Sequence, residues 1–219
     1  MINLEGVEIR WNGHDGFRFN SENKRVYVDP YKLIKAYNHK NDADILLISH
    51  NHFDHLSIED IDKVINNNTK ICCSQECLDT LKQKYTENEI YPLKPGETKR
   101  IEEVIITGIE AYNTNKNFHP KKDEKIGFII EINNLKIYHT GDTDIISEME
   151  KVNPDVLLVP VSGTYVMTAQ EAIKATNEMI KPKRLAIPMH YGSIVGTVSD
   201  AENFCKNVNV CKTSILEIE

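Results

Sequence analysis

The chain has 219 residues, with 33 Asp and Glu against 26 Lys and Arg and a formal net charge of -7. That length suffices for one domain burying roughly 70% of its extended surface without disulfide or metal staples, and the acidic balance argues against nucleic acid as a partner. No stretch reaches the roughly 18 uncharged apolar residues of a membrane span, and MINLEGVEIRWNGHDG lacks the basic-then-apolar pattern of a leader, so no membrane partner and a cytoplasmic location are expected.

Alternating apolar residues in Val7 to Trp11, Gly16 to Phe19 and Arg25 to Val28 predict short antiparallel strands separated by the turn-rich stretches NGHDG and NSENK. DILLIS, Asp44 to Ser49, is a continuous apolar run of strand length, as a strand covered on both faces requires. Ser57 with Asp60 predicts a capping box. It opens a helix on which Ile58, Ile61, Val64 and Ile65 recur, up to a stop at Asn66 to Asn68. KICCS followed by Gln75 to Lys84 repeats the strand-then-helix unit. Cys72, Cys73 and Cys77 fall there, and Cys205 and Cys211 lie near the end, an odd set of five that reads as core filler rather than a disulfide framework or thiolate site.

Arg100 to Ala111 and Lys125 to His139 alternate like paired strands, the latter turning at Asn133 and Asn134. DVLLVPVSG reads as a second buried strand, Thr168 with Glu171 caps a helix through about Ile180, and RLAIPMHYG is a strand ending in a histidine. Two halves, about 1–110 and 111–219, each mix antiparallel strands with strand and helix alternation. They predict a single α/β domain in which two mixed sheets pack face to face with helices outside, an αβ/βα sandwich.

The run His50-Asn51-His52-Phe53-Asp54-His55 places three imidazoles and a carboxylate at the carboxyl end of a buried strand, where loops of α/β proteins converge on a crevice. In extended chain, side chains two apart point the same way. His50 and His52 can therefore grip one cation while Asp54 and His55 reach a neighbouring one. Neutral imidazole and carboxylate suit zinc, iron or manganese.

HxHxDH after an apolar strand resembles the metallo-β-lactamase superfamily. WNGHDGF, VDP at Val28 to Pro30, YHTGDTD at Tyr138 to Asp144, VSGTYVMTAQEA at Val161 to Ala172 and IPMHYG at Ile187 to Gly192 resemble, in the same order, the branch containing ascorbate-6-phosphate lactonase and other metal-dependent hydrolases. The resemblance implies that Asp142 bridges two metals, that His190 joins Asp54 and His55 around the second, and that His50 and His52 hold the first. Relatives usually supply the first metal's third histidine where Asn113 stands here. Either His119 swings in instead, or water completes a weak first site.

The resemblance further implies that His14 lies at the rim of the metal cleft, a catalytic candidate that binds substrate or shuttles a proton. Asn113, Tyr165 and Met167 are expected to bind substrate along the cleft wall. Asp29 either supports a ligand imidazole or simply forms an Asp-Pro turn.

A bound cation pair lowers the pKa of water from about 15.7 towards about 7 and polarises a carbonyl or phosphoryl oxygen. The expected activity is hydrolysis of an ester, lactone or phosphoester of a small molecule, with one or two divalent metals, most simply Zn2+, alternatively Mn2+ or Fe2+. Asp54 would orient the nucleophile, with His14 or His119 as donor to the leaving group. Two other readings compete. Superfamily relatives cut RNA and DNA, but here the only local basic patch is Lys116, Lys121, Lys122 and Lys125 and no extra clamp domain is evident. A non-catalytic sensor would hold one structural ion. The branch also implies a tendency to homo-oligomerise.

Overall fold

The computed structural model describes residues 1–219. Val7, Ile9 and Trp11 alternate with Glu8 and Arg10, and the apolar set is buried while the charged set is not. This is the period of a strand with one face on a core. The first sheet is built in sequence order: β1 (Ile2–Leu4), β2 (Val7–Gly13), β3 (Gly16–Asn20), β4 (Arg25–Val28), β5 (Ile45–Ile48), β6 (Lys70–Ser74) and β7 (Ile90–Leu93). Pairing is antiparallel from β1 to β4 and parallel from β4 to β7. β5, every residue of which is inaccessible to solvent, is covered on both faces as its unbroken apolar run predicts.

The second sheet repeats the scheme with β8 (Thr98–Ile101), β9 (Val104–Glu110), β10 (Ile126–Ile132), β11 (Leu135–His139), β12 (Val156–Pro160), β13 (Leu185–Met189) and β14 (Lys212–Thr213). Its first four strands are again antiparallel and its last four parallel. The β10–β11 turn sits at Asn133 and Asn134, with φ of 48° and 61°, the left-handed pair that a tight hairpin demands. The division between halves falls at residues 94–97, not near residue 110. The segment from 100 to 110 is itself a hairpin that opens the second sheet.

One buried cluster contains inner-face side chains of both sheets, from Val7 and Phe17 to Ile130 and Leu158. A separate cluster lies outside the first sheet, where Ile61 and Val64 of α1 (Ile58–Val64) and Leu81 of α2 (Leu78–Lys84) cover Leu46, Ile48 and Ile71. The four-layer arrangement of helices, sheet, sheet and helices follows. α3 (Ala169–Lys174) and α4 (Val198–Asn207) serve the second half. No helix is long and apolar enough to cross a membrane.

The Thr168–Glu171 capping box is present, and α3 widens into a π-helical stretch from Ala175 to Ile180. The capping box expected at Ser57 is not. Ser57 Oγ donates to the Asp60 carboxylate at 2.7 Å instead of accepting the Asp60 N–H. Asp60 is drawn elsewhere: it accepts the backbone N–H groups of Lys32 and Leu33 at 2.8 and 2.9 Å, tying α1 to the β4–β5 connection.

Candidate metal centre

Loops from both sheets meet at the carboxyl ends of the parallel strands, the usual site position in such sheets. Residues 50–55 follow β5, Asp142 follows β11, Ser162 and Tyr165 follow β12, His190 follows β13, and Asn113 and His119 follow β9. The β2–β3 turn adds His14 and Asp15. His14, Asp29 and His190 all have left-handed backbones, with φ of 51°, 41° and 58°, a conformation costing about 1–3 kcal/mol for a residue with a side chain. The neighbouring packing imposes it. The carbonyl of His14 accepts both the Trp11 indole N–H at 2.8 Å and the His190 backbone N–H at 3.1 Å, pinning the turn across the two halves.

Overlapping groups of ligand atoms result. In the first, His50 Nε2 lies 3.1 Å from His52 Nδ1, His119 Nε2 lies 3.2 Å from the same atom, and His119 Nε2 lies 3.2 Å from Asp142 Oδ2. Ligands of a tetrahedral cation with bonds of roughly 2.0–2.1 Å stand about 3.3 Å apart, so the spacing fits. In the second, His55 Nε2 is 3.4 Å from Asp142 Oδ1, His190 Nε2 is 3.4 Å from Asp142 Oδ2, and the ligand atoms of His14, Asp54, His55 and His190 gather within 4.8 Å. Asp142 thus stands between the groups.

Each ring is aimed from behind. Ser49 Oγ donates to Asp29 Oδ2 and can then only accept from His50 Nδ1, 2.9 Å away, while His55 Nδ1 donates to Asp29 Oδ2 at 2.9 Å. Ser162 Oγ lies 2.8 Å from His190 Nδ1, and Asn113 Oδ1 lies 3.2 Å from His119 Nδ1. With Nδ1–H facing outward, His50, His55 and His119 turn Nε2 lone pairs on the Asp142 carboxylate. Lone pairs facing a carboxylate repel unless positive charge lies between. Consistently, His55 Nε2, His190 Nε2 and Asp142 Oδ1 are buried with no hydrogen-bond partner. The residues therefore fit metal binding, and a bound cation would give those atoms the partner that the protein withholds.

Burial would raise the Asp142 carboxyl, but His190 and His55 outweigh it and hold it well below the usual carboxylate range. Burial pushes the His14 imidazole down to about 4 despite its hydrogen bond with Asp54.

The structure brings together His50, His52, Asp54, His55, Asp142 and His190, six residues picked out from sequence. Between the two options left open for the first group, His119 is the residue that faces it. Asn113 spends its amide on the chain itself: its Oδ1 accepts from His119 and its Nδ2 donates to the Tyr165 carbonyl at 2.8 Å. His14 is not at the rim: it is 1% exposed and its Nε2 lies 3.0 Å from Asp54 Oδ2. Met167 does not wall the cleft, because it is fully buried in the main core. Tyr165 does, in a cavity of about 290 Å3 whose other walls are Phe53, Phe118 and Ile194, with His52, Asp54, His119 and Asp142 at its base. Asp29 supports the His55 imidazole, the first of its two readings. Sequence reasoning passed over Asp15, Ser49, Ser162, Phe53, Phe118 and Ile194. Ser49, immediately before the histidine run, is the one whose position signalled it.

Two mixed sheets carrying a shared His/Asp cluster at their strand ends define the class as a metallo-β-lactamase fold. Residues 8–190 match the model of the beta-lactamase superfamily domain, and the chain belongs to that family. A UPF0173 metal-dependent hydrolase of Archaeoglobus fulgidus is 31% identical, covering 97% of this chain and 94% of its own. A candidate metal-dependent hydrolase from Parabacteroides distasonis is similar in structure, with a TM-score of 0.81 and 28% identity over 97% of this chain and 94% of its own. Igni18, a metallo hydrolase from Ignicoccus hospitalis, shares the fold with a TM-score of 0.76 and 22% identity over 96% of this chain and 95% of its own. Within the family, the protein is a metal-dependent hydrolase.

Proposed function

We propose that this hydrolase cleaves a carboxylic ester or lactone of a small, largely apolar molecule, and that a phosphoester is the poorer substrate. The observation that carries the reading is the cavity over the ligand cluster: Phe53, Phe118, Tyr165 and Ile194 line it, and no Lys or Arg does. Sites for phosphoryl groups ordinarily bring Arg or Lys to the anionic oxygens. Of the basic patch seen in the sequence, Lys116 is paired to Asp144, Lys121 to Glu148 and Lys125 to Glu76, and Lys122 does not line the cavity.

Phe118 packs edge-to-face on Tyr165 with ring centroids 4.7 Å apart, and Phe53 remains 68% exposed at the mouth. Such rings seat hydrocarbon and exclude water. When bound, the metal pair supplies a nucleophile at neutral pH and Lewis acidity toward the carbonyl. Asp54 orients the attacking group. His14 Nε2, 3.0 Å from Asp54 Oδ2, holds that carboxylate in place. His119, as a ligand, has no proton to give. The likeness to the ascorbate-6-phosphate lactonase branch favours a lactone, although the lining offers nothing to a phosphate. The three-imidazole first group suits zinc.

The test is a panel of aryl esters, lactones of graded acyl length and a phosphodiester with the same leaving group, assayed with metal-loaded protein. The expected result is kcat/KM rising with acyl length, lost in Asp54→Ala. Faster turnover of the phosphodiester than of every ester and lactone would overturn the reading.

A further inference from the structure

Asp15 follows His14 in the β2–β3 turn. Its side chain is fully buried, and neither carboxylate oxygen has a hydrogen-bond partner. Only its backbone carbonyl is engaged, accepting from His139 Nε2 at 2.8 Å. Buried acids outside the ligand cluster do not behave so. Asp29 accepts from Ser49 and His55, Asp60 from Lys32, Leu33 and Ser57, and Asp144 from Thr114 and Lys116. A buried carboxylate without donors is costly unless charge compensates it.

Compensation is close at hand. A carboxylate oxygen of Asp15 gathers within 4.8 Å of ligand atoms of His55, Asp142 and His190. His55 Nε2, His190 Nε2 and Asp142 Oδ1 are themselves buried and unpartnered. Unsatisfied atoms from four side chains thus converge on one spot, and a single cation satisfies all of them. The local backbone is shaped for it: left-handed Gly13 and His14, with φ of 97° and 51°, turn the chain so that consecutive side chains both enter the centre. A Cβ on Gly16 would lie 3.0 Å from the Gly13 carbonyl oxygen and 3.2 Å from that of Asp29, so the turn is packed in place.

We propose that Asp15 is a ligand of the second cation, beside Asp54, His55, Asp142 and His190. The inference rests on the reading of this centre as a metal pair. It makes the two positions chemically unequal. The first group has three imidazoles and the Asp142 carboxylate; the second, with Asp15 added to Asp54 and Asp142, would have three carboxylates against two imidazoles. Imidazole-rich sets suit zinc, whereas carboxylate-rich sets suit manganese. The protein should therefore load as a mixed pair, with zinc in the first position and manganese in the second.

The test uses metal-free full-length protein, wild type and Asp15→Asn, given one equivalent of Zn2+ and then titrated with Mn2+ while the signal of free Mn2+ is followed by electron paramagnetic resonance. Thermal unfolding is recorded with and without metal. Wild type should take up one Mn2+. Asp15→Asn should bind it at least about tenfold more weakly, with zinc affinity changed by less than about threefold. Metal-free Asp15→Asn should unfold no earlier than metal-free wild type, because an amide replaces an uncompensated charge, yet gain less in Tm from Mn2+. Asp15→Ser, a smaller side chain in the same turn, should behave alike and stands in if the amide disturbs folding. Two cations in wild type with unchanged Mn2+ affinity and Tm gain in both variants would overturn the Asp15 assignment alone. A wild type that binds one cation overturns the two-metal reading and this assignment together. Manganese-edge anomalous scattering that places the ion out of reach of the Asp15 carboxylate would also overturn it.

Discussion

Asn113 Oδ1 accepts the His119 backbone N–H at 2.9 Å and stands 3.2 Å from the Nδ1 of the same residue. One amide fixes the position and the tautomer of an imidazole six residues along the chain. Asn113→Ala should therefore weaken zinc binding by about 10- to 100-fold, the usual cost of losing such a partner. Competition with a chromophoric chelator reads this directly, and unchanged affinity would mean that His119 holds its place unaided.

Asp29 carries a heavier burden, since it accepts from Ser49 N–H, Ser49 Oγ–H and His55 Nδ1–H at once. Asp29→Ala leaves the buried Ser49 amide unsatisfied, a loss of about 1–3 kcal/mol. Asp29→Asn should fare little better, because its NH2 must face a donor. Urea unfolding of metal-free protein measures the loss, and an asparagine variant as stable as wild type would contradict it.

Gly127 lies where the second sheet meets the Asp142 loop. A Cβ there would sit 2.4 Å from the Thr140 carbonyl oxygen and 2.5 Å from that of His139, both backbone atoms with little freedom to move. Gly127→Ala should cost about 1–3 kcal/mol or more as an overpacked site, and displace Asp142 as well. Calorimetry together with elemental analysis should show a lower Tm and fewer than the wild-type number of metals.

Asp60 sets a pH dependence. Burial would raise its carboxyl, but hydrogen bonds from Lys63, Ser57, Leu33 and Lys32 outweigh it, so its folded-state pKa is lowered. A depressed acid contributes stability that is present above the unfolded-state value, about 3.9, and disappears as pH falls through the folded-state value. Asp60→Asn should accordingly be less stable than wild type at pH 7, with the gap closing below about pH 4. A gap that persists undiminished at low pH would show that charge is not its origin.

Thiol chemistry provides an independent check on the core. Burial raises the Cys73 thiol to about 12 and the half-buried Cys211 thiol to about 11, and Cys72 and Cys77 are shifted up still more firmly. Native protein at pH 8 should resist iodoacetamide at Cys72, Cys73 and Cys77, with slow modification confined to Cys205 and Cys211. Mass spectrometry after peptide digestion resolves the positions.

Much of this centre could be read from the chain because its chemistry is concentrated: His50, His52, Asp54 and His55 are contiguous, and buried strands such as DILLIS announce themselves by unbroken apolar runs. Asp142 and His190 were reachable only through family likeness, since a turn aspartate and a strand-end histidine carry no local signal. Asp15 was invisible for a related reason: an aspartate in the turn-rich stretch NGHDG looks solvated, yet the folded chain buries it completely. Met167 failed in the reverse sense, as a loop-like sequence that tertiary packing draws into the core. The edge strands β1, β7, β8 and β14 are short and partly polar, so their pairing is set by neighbours rather than by pattern. Asp200, whose carboxylate accepts the Thr197 N–H at 2.7 Å, marked the start of α4 and was overlooked.

Neither sheet owns a complete coordination set. His50 and His52 come from the first half and His119 and Asp142 from the second, while Asp54 and His55 answer to His190 across the same seam. A cation held there would act as a clasp, closing only after segments remote in the chain have docked, so affinity for metal would become a gauge of assembly and a late contribution to folding. A chelator should accordingly loosen the join between the halves, quickening amide exchange along the ligand loops while the ladder bonds inside each sheet stay shut.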